Sequence, residues 1–186
     1  YRIIFIPETI GSIAYIHLNK EKLKKRVKAG FVVVCVGDEK KYSFLQSRDG
    51  NTLSDRAALY ALNKYIKKFE YYDFLERGSD ERQFCSKGID LPVCSIMRSK
   101  YGTYPEYHTS LDNLKFISGK RLYGSFQILK KVLEILEINF TYKNIYKFLC
   151  EPKLSDFKLR EAVSFKKSYD YDKNLLNLLF YADGKK

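Results

Sequence analysis

Short apolar runs and longer amphipathic patterns alternate along the first two thirds of the chain. Apolar runs bounded by turn residues are typical of strands, and four of them stand out, at residues 2–6, 30–37, 71–75 and 91–97. The run "GFVVVCVG" at 30–37 is continuous and β-branched, which favours a strand buried on both faces. The run "KYSFLQS" at 41–47 alternates more, so we predict an edge strand there.

Helical spacing of apolar residues fills the intervals between these runs. It predicts helices over residues 8–18 and 51–69, and a long amphipathic helix over 121–137. Towards the end of the chain we predict helices at 141–150 and 173–184, separated by a charged linker or irregular segment at 153–172. Strands that alternate with helices predict an α/β fold with a mostly parallel sheet, here followed by C-terminal helices.

Polar clusters follow several of the predicted strands. They are Pro7-Glu8, Gly37-Asp38-Glu39, Arg77 to Asp80, and the segment from Arg98 to Asp112. In open α/β sheets, ligands bind beyond the carboxyl ends of the strands. The sequence therefore predicts a functional site where these clusters converge.

Composition and charge define the class of protein. An apolar content of 45% and an aromatic content of 16% are typical of a globular chain rather than a disordered one. The net charge of +12 comes largely from lysine-rich runs at 20–26 and 64–68. These runs are interpreted most simply as solvated helix faces, and alternatively as a basic field that attracts nucleic acid or another anionic surface.

Cysteine usage and hydropathy indicate the compartment. Cys35, Cys85, Cys94 and Cys150 form no C-x-x-C pair, which argues against a zinc ribbon or a disulfide scaffold and favours a reducing, cytoplasmic environment. No apolar stretch approaches 18 residues, so we expect no membrane contact. The chain opens on "YRIIFIPETIG", without methionine and inside a strand-type run, and we therefore expect an interior piece of a longer protein.

Four residues are candidates for chemistry, each with a structural alternative. His108 is one of two histidines and lies in "PEYHTSLDNL"; Asp112 could orient its imidazole for metal binding or occupy the first turn of a helix that follows. Glu8 could be a general base or an anion stabilised by a helix N-terminus. Asp38 could bind a cation or belong to a turn. Asp80 could begin a helix.

Four motifs together resemble a known family. They are "FIPETIGS", "CVGD", "GSDERQFCSKGIDLP" and "YPEYHTSLDNL", and they are similar to motifs of the co-catalytic zinc aminopeptidases. The resemblance is closer still to the aminopeptidase-like proteins encoded with bacterial surface-polysaccharide genes. It implies that residues 1–150 are the C-terminal part of a three-layer α/β domain with a mixed sheet. Residues 151–186 then resemble a linker and, near "YADG", the start of a winged-helix-like segment.

The resemblance also implies roles for individual residues. His108 falls on a zinc ligand, Glu8 on the general base, and Asp38 near an aspartate ligand. Asp80 matches a carboxylate of the substrate-side loop, and further residues are candidates for orienting the substrate: Arg82, Arg98, Tyr104 and Tyr107. The first histidine ligand and the bridging aspartate are expected upstream of Tyr1.

The implied activity is zinc-dependent hydrolysis of an amide bond. The substrate is expected to be a peptide with a free N-terminus, or an N-acyl sugar or its nucleotide conjugate in surface polysaccharide biosynthesis. Thr9 stands where the family has a second metal-binding glutamate, so one zinc ion or two are both compatible with the resemblance.

A different class of function stays open. Thr9 and the charge of +12 favour a catalytically inactive basic module that contacts nucleic acid or protein, and a scaffold for a polysaccharide assembly complex is a third possibility. Glu8 and His108, both retained at predicted strand ends, favour the hydrolase. The sequence makes no prediction of the oligomeric state.

Overall fold

A four-stranded mixed sheet forms the centre of Tyr1–Glu137, the first of two structural units in the computed structural model of the chain. The structure describes residues 1–141, 143, 151, 153–157, 169–182 and 184. The strands are β1 (Gly30–Val32), β2 (Tyr42–Leu45), β3 (Phe69–Tyr72) and β4 (Val93–Met97), in the spatial order β1-β4-β2-β3. β1 is parallel to β4 and β2 is parallel to β3, whereas β2 and β4 are antiparallel.

Helices cover both faces of this sheet. They are α1 (Ile10–Arg26), α2 (Leu53–Tyr65), α3 (Glu81–Phe84) and α4 (Gly119–Glu137). One core lies between the sheet and α2 and α4, with Leu62 and Val132 at its centre. The second core contains Leu23 of α1 and Cys85, which follows α3. The predicted α/β class and its three layers are confirmed.

Successive side chains of β2 and β4 point to opposite faces of the sheet and so enter different cores. Phe44 and Ile96 enter the core under α2 and α4, whereas Leu45 and Met97 enter the core on the α1 side. All four side chains are at most 2% exposed, and burying a side chain of this size contributes about 1.5–3 kcal/mol. The start of α2 is fixed by a capping box, in which Thr52 and Asp55 exchange hydrogen bonds.

Three strand predictions need correction. The strand predicted over residues 2–6 is wrong: the segment has no strand partner among the described residues, and Phe5 is 95% exposed. The strand predicted over 30–37 ends at Val32, and the rest is irregular. β2 is an interior strand rather than an edge strand, and all four of its residues are buried.

Two further predicted elements have different boundaries in the structure. The strand predicted at 71–75 is β3, at Phe69–Tyr72, followed by a 3-10 helix at Phe74–Glu76. The helix predicted at 8–18 continues to Arg26. The helix predicted at 121–137 is confirmed as α4.

The second unit, Ile138–Lys186, is described only in part. It contains a 3-10 helix at Leu154–Phe157 and α5 (Tyr169–Tyr181), which begins earlier than the helix predicted at 173–184. The helix predicted at 141–150 falls mostly outside the described residues. Among the helices that are described, none has the length and apolar character needed to cross a membrane.

Candidate active site

Two segments meet at one edge of the sheet. β1 and β4 are parallel, so their carboxyl ends lie at the same edge, which we call the site edge. Residues 33–41 follow β1 and residues 98–118 follow β4. Six predicted site residues fall in these two segments: Asp38, Arg98, Tyr104, Tyr107, His108 and Asp112.

The segment from Arg77 to Asp80 reaches the site by a different route. It follows β3, which is antiparallel to β4 and therefore ends at the opposite edge. The chain returns through the 3-10 helix, where Phe74 is buried in the core on the α1 side. Asp80 then contacts the first turn of α1, so the cluster joins the site although its strand ends elsewhere.

Glu8 directly precedes Thr9, the N-cap residue of α1. The Thr9 side chain makes no cap hydrogen bond within the helix. The Thr9 backbone N–H instead donates to Asp80 Oδ1 over 2.8 Å. Arg82 Nη2 donates to Thr9 Oγ1 over 2.9 Å. The exposed Glu8 therefore precedes a residue with two fixed contacts.

His108 lies in an aromatic loop without a helix. Its exposed imidazole stacks on the Tyr107 ring, with centroids 3.9 Å apart. Tyr107 meets the Tyr104 ring edge-on at 5.5 Å, and the Tyr104 hydroxyl lies 3.4 Å from Cys35 Sγ. These contacts link the loop after β4 to the segment after β1.

The partner predicted for His108 is placed differently. The Asp112 backbone N–H donates to Thr109 O within a series of turns, so Asp112 does not begin a helix. In this part of the chain, which is fully described, no hydrogen bond joins the Asp112 carboxylate to the His108 imidazole.

The pKa shifts of Tyr107 and Cys35 indicate which charged side chains lie within electrostatic range of them. Burial raises the pKa of Tyr107, the carboxylate of Glu8 and the thiol of Cys35 raise it further, and the Arg82 cation lowers it. Burial likewise raises the pKa of Cys35, and the carboxylates of Asp112 and Glu8 act in the same direction. Glu8 and Arg82 thus lie within electrostatic range of Tyr107, which stacks on His108.

Asp38 connects the two segments of the site edge. Its carboxylate is only 2% exposed and accepts three hydrogen bonds: from Ser99 N at 3.0 Å, Ser99 Oγ at 2.9 Å and Lys40 N at 2.8 Å. A carboxylate engaged in this way stabilises the irregular backbone around it. A metal ion at Asp38 would compete with these bonds.

Arg98 is not brought together with Glu8 and Tyr107. It is 6% exposed, its guanidinium lies 3.7 Å from the centroid of the Tyr42 ring, and its Nε donates to Ser125 Oγ over 3.1 Å. Both partners belong to the α4 side of the sheet, and burial lowers the pKa of Arg98. These contacts give Arg98 a packing role, and orientation of substrate by Arg98 stays a prediction.

Sequence reasoning missed a buried carboxylate, Glu81. It is 0% exposed and accepts hydrogen bonds from four groups: Gly78 N at 2.9 Å, Ser79 N at 2.9 Å, Ser95 Oγ at 3.0 Å and Tyr101 OH at 2.6 Å. Fully buried glutamates are rare unless all their oxygens have partners. Its position inside "GSDERQF", beside the predicted Asp80, was the available signal.

Three non-glycine residues with positive φ occur at the site. Thr9, Cys35 and His108 have φ values of 62°, 50° and 57°. Such conformations are unfavourable for side chains other than glycine and persist where neighbouring contacts impose them, often at functional sites. Their grouping here supports a function for this edge of the sheet.

The described residues alone do not complete a zinc site. Across the described part of the chain, no group of three or more histidine, cysteine, aspartate or glutamate side chains could hold a metal ion. Zinc in proteins generally needs three or four such ligands. His108, which is exposed, could supply one imidazole ligand.

Comparison with known proteins places the chain in a family. Residues 1–139 match the family model described as "Domain of unknown function (DUF4910)". A relative from Clostridium acetobutylicum is named "Putative polysaccharide biosynthesis protein with aminopeptidase-like domain". It is 38% identical over 186 residues, which are 100% of this chain and 42% of the relative.

Solved structures show the same fold. A crystal structure of a "putative peptidase" from Clostridium acetobutylicum has a TM-score of 0.75 and 36% identity, covering 97% of this chain and 39% of that one. The zinc aminopeptidase BSAP from Bacillus subtilis has a TM-score of 0.56 and 22% identity, covering 68% and 32%. The likeness to BSAP shows the fold alone. The chain spans about two fifths of the length of the two clostridial proteins.

Proposed function

The chain belongs to the family described as "Domain of unknown function (DUF4910)", and on that premise we propose that it forms part of a zinc-dependent hydrolase of amide bonds. One observation carries the proposal: the Glu8 carboxylate acts on the Tyr107 phenol, whose ring stacks on His108. Tyr107 therefore lies within electrostatic range of the acid and in ring contact with the exposed imidazole. The aminopeptidase fold and the name of the clostridial relative support the same reaction class.

Each residue of the site has a proposed task. Glu8 takes a proton from the water that attacks the amide carbonyl, as a general base must do from within hydrogen-bond reach. His108 supplies one zinc ligand, and the further ligands come from a part of the protein outside this chain. Zinc, when bound, supplies a Lewis acid at the carbonyl. Asp38 acts as an anchor between the two segments rather than as a ligand.

The substrate is proposed to be a peptide or an N-acyl sugar used in cytoplasmic steps of surface polysaccharide biosynthesis. Tyr107 lies within electrostatic range of Glu8 and is proposed to orient a polar group next to the scissile bond. The name of the relative supports the polysaccharide context, and its aminopeptidase-like domain supports the peptide bond.

Hydrolysis assays of the full-length protein test this function. Chromogenic aminoacyl anilides and N-acetyl sugars should separate the two substrate classes. Glu8→Gln should lower kcat by about 10²–10⁴-fold, which is the usual contribution of a general base. Glu21→Gln changes an exposed glutamate on α1 and should leave kcat unchanged. Equal activity of Glu8→Gln and the wild type would contradict the proposal.

A basic binding module is the second candidate, because α1 carries an exposed basic segment. Its members are Lys20, Lys22, Lys24, Lys25 and Arg26. Binding of nucleic acid by this segment should weaken steeply as salt rises, since phosphate contacts release counterions. Strong salt-dependent binding together with absence of zinc would favour this candidate over the hydrolase.

A further inference from the structure

Asp80 caps helix α1 from a distant part of the chain. Its Oδ1 accepts the backbone N–H of Thr9 over 2.8 Å and also lies 2.8 Å from Ser12 Oγ. Ser12 is 0% exposed, and its bond with Asp80 is partly buried. The first turn of a helix leaves backbone N–H groups without partners, and a carboxylate there both accepts a hydrogen bond and complements the helix dipole.

Arg82 holds the same residue by its side chain. Its Nη2 donates to Thr9 Oγ1 over 2.9 Å. Thr9 has φ 62° and ψ −69°, a backbone conformation that β-branched residues rarely adopt. Contacts from outside the helix therefore have to maintain it. Asp80 and Arg82 provide such contacts to the Thr9 backbone and side chain.

The buried Glu81 anchors this pair to the centre of the sheet. Glu81 accepts hydrogen bonds from Ser95, which lies in β4, and from Tyr101, which lies in the segment that leads to His108. It also binds the N–H groups of Gly78 and Ser79, just before Asp80. The support of Glu8 is thus connected to the strand from which the His108 loop departs.

We propose that Asp80 and Arg82 are positioning residues, which hold Thr9 and thereby fix the preceding Glu8 at the start of α1. The inference rests on the proposed function for the task of Glu8 as a base. It differs from the substrate-binding roles that the family resemblance implies for Asp80 and Arg82. A substrate contact would depend on the charge of Asp80, whereas positioning depends on its oxygen as an acceptor.

Two substitutions of Asp80 in the full-length protein separate these roles. Asp80→Asn keeps an acceptor oxygen, and Asp80→Ala removes it. Hydrogen exchange of the Thr9 amide should accelerate at least about tenfold in Asp80→Ala, because a hydrogen bond to a charged acceptor is lost, and should change by less than about threefold in Asp80→Asn. Asp49→Ala changes an exposed aspartate elsewhere in the chain and should leave Thr9 exchange unchanged.

The outcomes distinguish the positioning role from the proposed reaction. Unchanged Thr9 exchange in Asp80→Ala would overturn the inference, as would equal rises of KM in Asp80→Asn and Asp80→Ala without loss of kcat. If the Thr9 exchange follows expectation while the wild type hydrolyses no amide, positioning stands and the proposed function fails. In an active enzyme, Asp80→Asn should restore the kcat that Asp80→Ala loses.

Discussion

The Glu8 carboxylate lies close enough to Tyr107 to raise the pKa of that phenol, although 99 positions separate the two residues in the chain. Tyr107 in turn stacks on His108. The electrostatic relationship joins the start of α1 to the loop after β4, and the proposed use of Glu8 and His108 together depends on it.

Opposite changes of the Tyr107 pKa are expected from its two charged neighbours. Burial raises this pKa most, Glu8 raises it further, and Arg82 lowers it. Glu8→Gln should therefore lower the Tyr107 pKa, whereas Arg82→Gln should raise it. A pH titration of the ¹³Cζ resonances of labelled tyrosine measures both, with Tyr107→Phe providing the assignment.

The control for this pair is Glu21→Gln, an exposed glutamate farther along α1. It should leave the Tyr107 titration unchanged. Shifts of the same sign in Glu8→Gln and Arg82→Gln would mean that the two charges do not flank Tyr107.

Alkaline pH should destabilise the protein through Tyr101. Burial and the hydrogen bond to Glu81 raise the pKa of Tyr101 above its usual value. The folded state therefore keeps a proton that the unfolded state loses near pH 10. The resulting stability is complete below about pH 10 and falls above it by about 1.4 kcal/mol per pH unit, until the pH passes the folded pKa.

Tyr101→Phe tests this pH dependence by urea unfolding at pH 8, 10 and 11. The variant should lose about 1–3 kcal/mol at pH 8, because Glu81 loses a donor. Its stability should then decline less steeply than that of the wild type above pH 10. Tyr123→Phe is the matched control, because Tyr123 lies on α4 and is 63% exposed. Equal slopes for Tyr101→Phe and the wild type would refute the role of Tyr101.

Gly78 should tolerate no side chain. A Cβ at this position would lie 2.6 Å from Cε2 of Tyr101, which is closer than real Cβ contacts allow. Gly78→Ala should therefore destabilise the fold by about 1–3 kcal/mol, as overpacking generally does. Gly88→Ala places its Cβ in open space and should change stability by less than about 0.5 kcal/mol. Unfolding curves that rank the two variants equally would contradict the packing of Gly78 on Tyr101.

The pattern of apolar residues predicted the fold class but not the order of the sheet. "YSFL" in β2 alternates because Ser43 separates two apolar positions, and the pattern therefore predicted an edge strand. Ser43 is instead 0% exposed and donates to Arg98 O over 2.6 Å. From the sequence alone, a buried small polar residue with a long-range hydrogen bond cannot be distinguished from a solvent-exposed one. Residues 2–6 show the converse case, since an apolar run has no strand partner in the described structure.

The candidate site was predictable where chemistry follows from residue type. Glu8 and His108 were selected as an acid and a ligand; His108 stacks on Tyr107, and Glu8 lies within electrostatic range of that residue. The tasks of Asp80 and Glu81 could not be predicted, because both depend on partners far away in the chain. Asp80 binds Thr9 at a separation of 71 residues, and Glu81 binds Tyr101 at a separation of 20.

The zinc content of full-length histidine variants tests the central claim most directly. His108 and His17 are the two histidines of this chain, and both are exposed. If His108 is a ligand beside Glu8, the wild type binds zinc stoichiometrically, His108→Ala loses zinc, and His17→Ala retains it. Wild-type protein without zinc, or His108→Ala with the wild-type content, would contradict the account.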